Sequence, residues 1–266
     1  MRNLILLLFT CWSFWATAQY YSYPFKIQIG VGGASYYGDL SEEFSTNTWG
    51  YNLALNTRSV LNPHFSAYTH LNLFRLSSQD QVDAVRNLYF RSDNIGFGLG
   101  VYYSFTKYKV HSEYQGKVTP YIGVGIGGLF FNPKAQYKND WYELQGLTTE
   151  GQNYSRFTWQ APFHIGLSYR ISDWVTIGIE YSYYFTFTDY LDDVSGEYVD
   201  NQTLLGVSAD LADRTFEGDN IPDNTIDGEH WKATTQRGDN QKIDKYNLIS
   251  IYIEIDLVRK NVVMFH

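Results

Sequence analysis

Eight ionisable residues, Lys26, Arg58, His70, His164, Arg170, Glu180, Glu254 and Asp256, fall where they could act on one another. Each lies in a run whose every second residue is mostly large and apolar, and each occupies the other register. Alternate side chains of an extended chain point to opposite faces, so these residues would share the minority face of one sheet. If that face lines an enclosed interior, opposite charges must pair, because a buried charge without a partner is strongly destabilising. A salt-bridge plug across the interior is the plainest outcome. A proton path, a small pore or a catalytic acid–base pair would use the same positions, and the residues alone do not separate these readings.

The elements that must position them are strands with an inverted pattern. In Ile95-Gly-Phe-Gly-Leu-Gly-Val-Tyr-Tyr103 and Ile122-Gly-Val-Gly-Ile-Gly-Gly-Leu-Phe130 the apolar face is broad and the other face is nearly bare. A soluble sheet hides its apolar face. A narrow barrel in lipid turns it outward and keeps small or polar residues in a crowded lumen. Eight such runs occur: 25–37, about 49–60, about 65–74, about 87–105, 121–131, 157–170, 175–185 and 249–257. The connections alternate between short turns, such as Asn62-Pro-His64 and Ile171-Ser-Asp173, and long loops. That asymmetry is the outer-membrane pattern, with both chain ends at the periplasmic rim. The expectation is therefore an all-β, eight-stranded antiparallel transmembrane barrel. A lipocalin-like barrel or a sandwich would put the larger apolar face inside and the charges outside, the reverse of what is seen. Gly96, Gly98 and Gly100, with Gly123, Gly125 and Gly127, are expected to leave room for bulky charged groups from across the lumen.

The remaining composition agrees. Aromatic residues make up 18 % of 266 residues, as the interfacial girdles of a membrane barrel require. Beyond the N-terminus no apolar run approaches the roughly 20 residues of a membrane helix. Arg2, the apolar stretch Leu4 to Trp15 and Ala16-Thr-Ala18 read as a cleaved signal peptide over 1–18, leaving a barrel domain over 19–266. Cleavage there removes Cys11, the single cysteine, so no disulfide is expected. The formal charge is −8, and the stretch 188–244 alone carries fourteen Asp and Glu against four Lys and Arg. Such a chain does not suit nucleic acid.

Candidate sites outside the lumen are few. Asp223, Thr225, Asp227 and Gly228 approach the start of a calcium loop, but Thr234 stands where the closing Glu belongs, so a solvated acidic loop is expected. His111 falls in the predicted periplasmic turn and His230 in the acidic loop, with no Ser/His/Asp cluster at the strand tips. No metal, cofactor or catalytic residue is assigned. Lys107, Lys109 and Lys117, against Glu113, make a mildly basic periplasmic turn that could dock a partner.

Three segments carry a family resemblance. They are Ser35-Tyr-Tyr-Gly-Asp-Leu40; Phe131-Asn-Pro-Lys-Ala-Gln-Tyr137 with Trp141-Tyr-Glu-Leu144 and Thr149-Glu-Gly-Gln152; and Thr188-Asp-Tyr-Leu-Asp-Asp-Val-Ser195 with Tyr198-Val-Asp200. Together they resemble the PorG-like outer-membrane barrels of Bacteroidetes, which are associated with type IX secretion and gliding motility. The resemblance implies a non-enzymatic barrel, held in outer-membrane lipid, that ties a periplasmic ring of PorK and PorN type to the membrane. It brings no catalytic residues. A surface-binding or small-pore barrel acting through acidic extracellular loops, or a lipid- or peptide-modifying enzyme, are the alternatives.

Overall fold

The computed structural model describes residues 25–41, 48–80, 86–107, 116–215 and 231–257. The predicted signal peptide, Lys109, His111, His230 and the calcium-like Asp223 to Gly228 lie outside the described residues.

Ten strands form in chain order: β1 Phe25–Tyr37, β2 Gly50–Val60, β3 Phe65–Gln79, β4 Tyr89–Ser104, β5 Val118–Phe130, β6 Pro133–Tyr137, β7 Asp140–Glu143, β8 Phe157–Arg170, β9 Val175–Thr186 and β10 Lys245–Asp256. β6 and β7 make a hairpin in the loop after β5, docked on β4 through Arg91↔Lys134 and Ser92↔Pro133. The other eight are the predicted wall. Each pairs antiparallel with its neighbour, β5 meets β8, and β1 pairs with β10 over Lys26↔Asp256 to Tyr37↔Lys245, so the barrel is closed. Closure leaves no sheet edge, which a wall in lipid requires. β1 begins and β10 ends at the rim of the short turns; the long loops crowd the opposite rim.

The wall faces two surroundings. Toward the short turns the apolar register points out, with Ile126 65 % and Ile251 66 % exposed. Above Phe74 the parity of polarity reverses. Leu76 and Phe90 point inward and are buried, while Arg75 and Asp93 pair on the outer surface at 2.6 Å. From Tyr103 near the short-turn rim to Asp93, ten residues at about 3.3 Å each, tilted about 40°, rise about 25 Å, the height of a lipid-facing band. Above that level the outside is polar and the inside is an apolar core that includes Leu40, Phe74, Leu76, Leu129, Leu144, Leu191 and Leu248. This reversal explains why β3 and β10 extend past the predicted limits: their upper turns lack apolar outward residues and so carry no inverted alternation.

The glycine register corrects one expectation. A Cβ at Gly98 would sit 2.7 Å from the His70 ring, at Gly125 2.4 Å from the Tyr68 hydroxyl, and at Gly123 2.4 Å from the Tyr102 ring. The space is taken by aromatic rings of β3 and β4 themselves, not by charged groups from across the lumen. A valine at Gly125 would also press on the Leu99 carbonyl at 2.6 Å. We expect Gly125→Val to lose about 1–3 kcal/mol while lipid-facing Ile126→Val stays within about 0.5 kcal/mol. Urea titration of the barrel in lipid vesicles, read by the heat-dependent gel shift, measures both.

Candidate functional site

The lumen is filled in layers. At the short-turn end Lys26 Nζ contacts Glu254 Oε1 at 2.7 Å and Asp256 Oδ1 at 3.2 Å, and Arg58 Nε lies 3.4 Å from Glu254 Oε2. The strands β2, β1 and β10 are consecutive in the wall: Lys26 meets its register partner Asp256, and Arg58 reaches Glu254 across β1. Arg170 joins from β8 through Asp256 at 3.2 Å and turns its remaining donors to the Ser172 and Asp173 carbonyls. The Arg58 guanidinium lies 4.4 Å from the Tyr102 ring centroid and 4.9 Å from that of Tyr121. Each such stack contributes about 0.5–2 kcal/mol.

The middle layer is built on Glu180. Its Oε2 accepts from the Tyr102 and Tyr121 hydroxyls, both at 2.9 Å, and its Oε1 from Ser182 at 3.2 Å. His164 Nδ1 is 2.7 Å from Ser182 Oγ and 3.4 Å from Glu180 Oε1, while its Nε2 is 2.9 Å from the Tyr68 hydroxyl. A Ser, a His and a carboxylate thus meet, but both imidazole nitrogens are occupied. The neighbouring cavity holds about 10 Å³, the volume of one water, which leaves a substrate no access to Ser182. His70 corrects the sequence reading. It packs against Tyr68, His164 and Tyr184 and, among the described residues, makes no ion pair; neither ring nitrogen has a hydrogen-bond partner. The upper layer is aromatic: Tyr184 stacks on Tyr246 at 4.5 Å, Tyr246 on Phe74 at 4.8 Å, with Asn72 donating to Tyr184 and Tyr246 to Gln160. Sequence reasoning missed this tyrosine plug, although Tyr102, Tyr184 and Tyr246 continue the minority register of their strands.

Over the far rim the long loops fold into a cap. Arg237, buried in the acidic stretch, donates to Glu150 Oε1 at 2.8 Å, to the Asp193 carbonyl at 2.5 Å and to the Ala212 carbonyl at 3.0 Å. Glu150 accepts from the amides of Ser195 and Gly196 at 3.0 Å, and Asp193 from Thr149 and Tyr154. Asp192 accepts from the nearby Val194 amide. The Tyr36 hydroxyl lies 2.6 Å from both Asp192 Oδ2 and Asp244 Oδ1. One hydroxyl carries one proton, so the second contact requires a protonated carboxyl.

Residues 4–211 match the family described as outer membrane protein beta-barrel domain. The chain belongs to that family. As an outer-membrane β-barrel it is similar to solved structures at low identity. The Ail protein of Yersinia pestis, solved with the heparin analogue sucrose octasulfate, is 13 % identical with a TM-score of 0.43, over 89 % of this chain and 100 % of that one. Neisserial surface protein A gives 12 %, 0.42, 88 % and 97 %, and OprG of Pseudomonas aeruginosa 11 %, 0.40, 88 % and 98 %. No curated protein matches the sequence.

Within this outer-membrane barrel the lumen residues divide. Lys26, Arg58, Arg170, Glu254 and Asp256 form one network, Glu180 and His164 another, and Arg58 links them through the tyrosine rings. Among the described residues no three His, Cys, Asp or Glu side chains converge as a metal site would. Replacing Glu254 by Gln strands Arg58. We expect Glu254→Gln to lower the unfolding free energy by about 3–5 kcal/mol, and Arg58→Met with Glu254→Met to recover most of it, because removing a whole buried pair costs little. Tryptophan fluorescence during urea unfolding in vesicles reads the difference.

The cap of the outer-membrane barrel is acid-stabilised. Burial pushes the Asp192 and Asp244 carboxyls well above the usual range; burial also raises Asp39 and Asp193 to about 6 and Asp189 to about 8. These groups hold protons in the folded cap that the open cap sheds near pH 4. Cap stability therefore falls as pH rises from about 4 through 6 and toward 8. The Leu191 and Val194 amides, which donate to Asp244 and Asp192, should lose hydrogen-exchange protection between about pH 5 and pH 8 after correction for intrinsic rates. Asp192→Asn should flatten that slope.

Proposed function

We propose that this barrel is a non-enzymatic structural anchor of the outer membrane, tying a periplasmic ring assembly of the PorK/PorN type to the lipid. The observation that carries the reading is the filled lumen. Ion pairs, Glu180 with its tyrosines, the Tyr184–Tyr246 stack and the Arg237 cap lie in series, so the molecule acts through its two rims. Ser182 and His164 are sealed from substrate, which speaks against acyl transfer or proteolysis. The resemblance carried by Thr149 to Gln152 and Thr188 to Ser195 supports the assignment to the type IX secretion and gliding apparatus. The periplasmic contact falls on the turn after β4, where Lys107 and Lys117 are exposed and Lys109 lies between them.

A surface-binding role is favoured by one feature of the far rim. The cap is a folded surface that presents Leu205 at 86 % and Phe187 at 67 % exposure, apolar points of contact on its loops.

Affinity capture of the tagged barrel from envelopes in mild detergent should recover ring proteins, and Lys107→Glu with Lys117→Glu should reduce the recovery. Capture without any ring protein contradicts the anchor. In planar bilayers the barrel should give no stable conductance; a steady channel would favour the pore reading instead.

A further inference from the structure

On the outer surface, just above the lipid-facing band, one arginine keeps its terminal donors open. Arg91 shares the outward register of β4 with Asp93 and Ile95. Its guanidinium lies 3.8 Å from the centroid of the Trp141 ring on β7. Its Nε is closed off, but its two Nη groups remain in contact with the surroundings and, among the described residues, donate to no acceptor. A like charge faces it. Lys134 is its register partner on β6, and two cations directly opposite each other on neighbouring strands repel. The nearby carboxylates are engaged. Glu143 lies 3.3 Å from Lys134 Nζ but is also held by Arg156 at 2.7 Å and by the Asn132 amide at 2.8 Å. Asp93 is taken by both arms of the Arg75 fork. Toward the lipid runs a row of outward rings across β4, β5 and β8. Phe97, Phe130, Phe157 and Trp159 follow one another with centroids 5.0 to 6.1 Å apart.

We infer that Arg91, with Lys134 beside it, binds the phosphate of a phosphorylated lipid in the outer leaflet. A guanidinium with two open Nη groups presents paired donors that match phosphate oxygens. The stack on Trp141 orients the fork before binding, which lowers the cost of ordering it. An anion seated between Arg91 and Lys134 relieves their repulsion. Height selects a lipid as the source of that anion. Asp93 closes the lipid-facing band, and Arg91 stands about 5 Å above it, at the depth of headgroups. The ring row beneath lies where acyl chains begin, as interfacial aromatics do. The site depends on the membrane position of the barrel and not on a periplasmic partner.

The test is native mass spectrometry of the full barrel released from phosphatidylcholine nanodiscs that carry either diphosphoryl lipid A or the same lipid after dephosphorylation. The phosphorylated form should be retained about fivefold more tightly or better. Arg91→Gln should weaken its retention about fivefold. Arg91→Lys keeps the charge and loses the fork, so it should weaken retention by a smaller factor. Lys245→Gln, in the outward register of β10 on the opposite side of the barrel, should change nothing. The heat-dependent gel shift reads whether each variant is folded; if Arg91→Gln is not, Arg91→Lys against the parent carries the comparison. Retention indifferent to the phosphate means that acyl chains alone bind, and it overturns the site. Full retention by the folded Arg91 variants overturns it as well, as does an equal loss in Lys245→Gln, the mark of a general surface charge. Displacement of the lipid by millimolar inorganic phosphate assigns the site to a free anion and overturns the lipid.

Discussion

A strand in lipid has no water to satisfy its amides and carbonyls, so every backbone group must pair and the sheet must close. Here eight strands close through the β1–β10 register, and that small number fixes the rest. Eight strands enclose an interior only wide enough for side chains. The outward register belongs to the hydrocarbon, so the charged residues of the spanning wall are driven into this narrow space. Charges there cannot be left alone, and they cannot all be solvated. The observed answer is stratification: ion pairs where the lumen meets water, a carboxylate held by tyrosine hydroxyls deeper in, and stacked rings where no charge remains.

Tyrosine is what makes that stratification work. Tyr68, Tyr102, Tyr121 and Tyr252 each bury a ring beside bare glycines, and the hydroxyls of Tyr102 and Tyr121 bond Glu180 while that of Tyr68 bonds His164. Arg58 uses the same rings as a shelf. A salt bridge alone would leave gaps beside Gly98, Gly123 and Gly125; apolar rings alone would leave Glu180 without donors. The glycine and tyrosine registers are therefore one device seen from two strands.

The spanning wall was legible in the sequence because lipid imposes a period of two with inverted polarity, and all eight strands, the alternation of loop lengths and the inward placement of the eight charged or imidazole side chains follow from it. What the pattern could not carry was depth. Period two says that His70 and Glu180 face inward, but not that His70 lies among rings while Glu180 gathers hydroxyls, because that depends on stagger between strands. Nor does the period say which charges meet: Lys26 and Asp256 are register partners, whereas Arg58–Glu254 and Arg170–Asp256 each reach across an intervening strand. Above the lipid the signal vanished, since Arg75 and Leu76 follow the rule of a soluble sheet. The hairpin β6–β7 was hidden behind Pro133, which reads as the end of β5 and is also the start of the next strand.

The cap brings three separate loop segments into one set of contacts. Ser35 to Leu40, Thr149 to Gln152 and Thr188 to Ser195 are far apart in sequence, yet Tyr36 meets Asp192, Thr149 meets Asp193, and Glu150 holds the amides of Ser195 and Gly196. Arg237 comes from the acidic stretch and binds Glu150 and Asp193 together. With Arg86 already paired to Asp80, Arg237 cannot balance Asp192, Asp193, Asp244 and Glu150. The cap must retain protons or open, and the hydroxyl of Tyr36 between two carboxyls is where a retained proton is shared. Because the same contacts join three loops to the top of β1, the cap folds or loosens as one unit. Loosening it would leave the tyrosine plug and the ion pairs of the spanning wall in place, so the far rim can respond to its surroundings while the lumen stays shut.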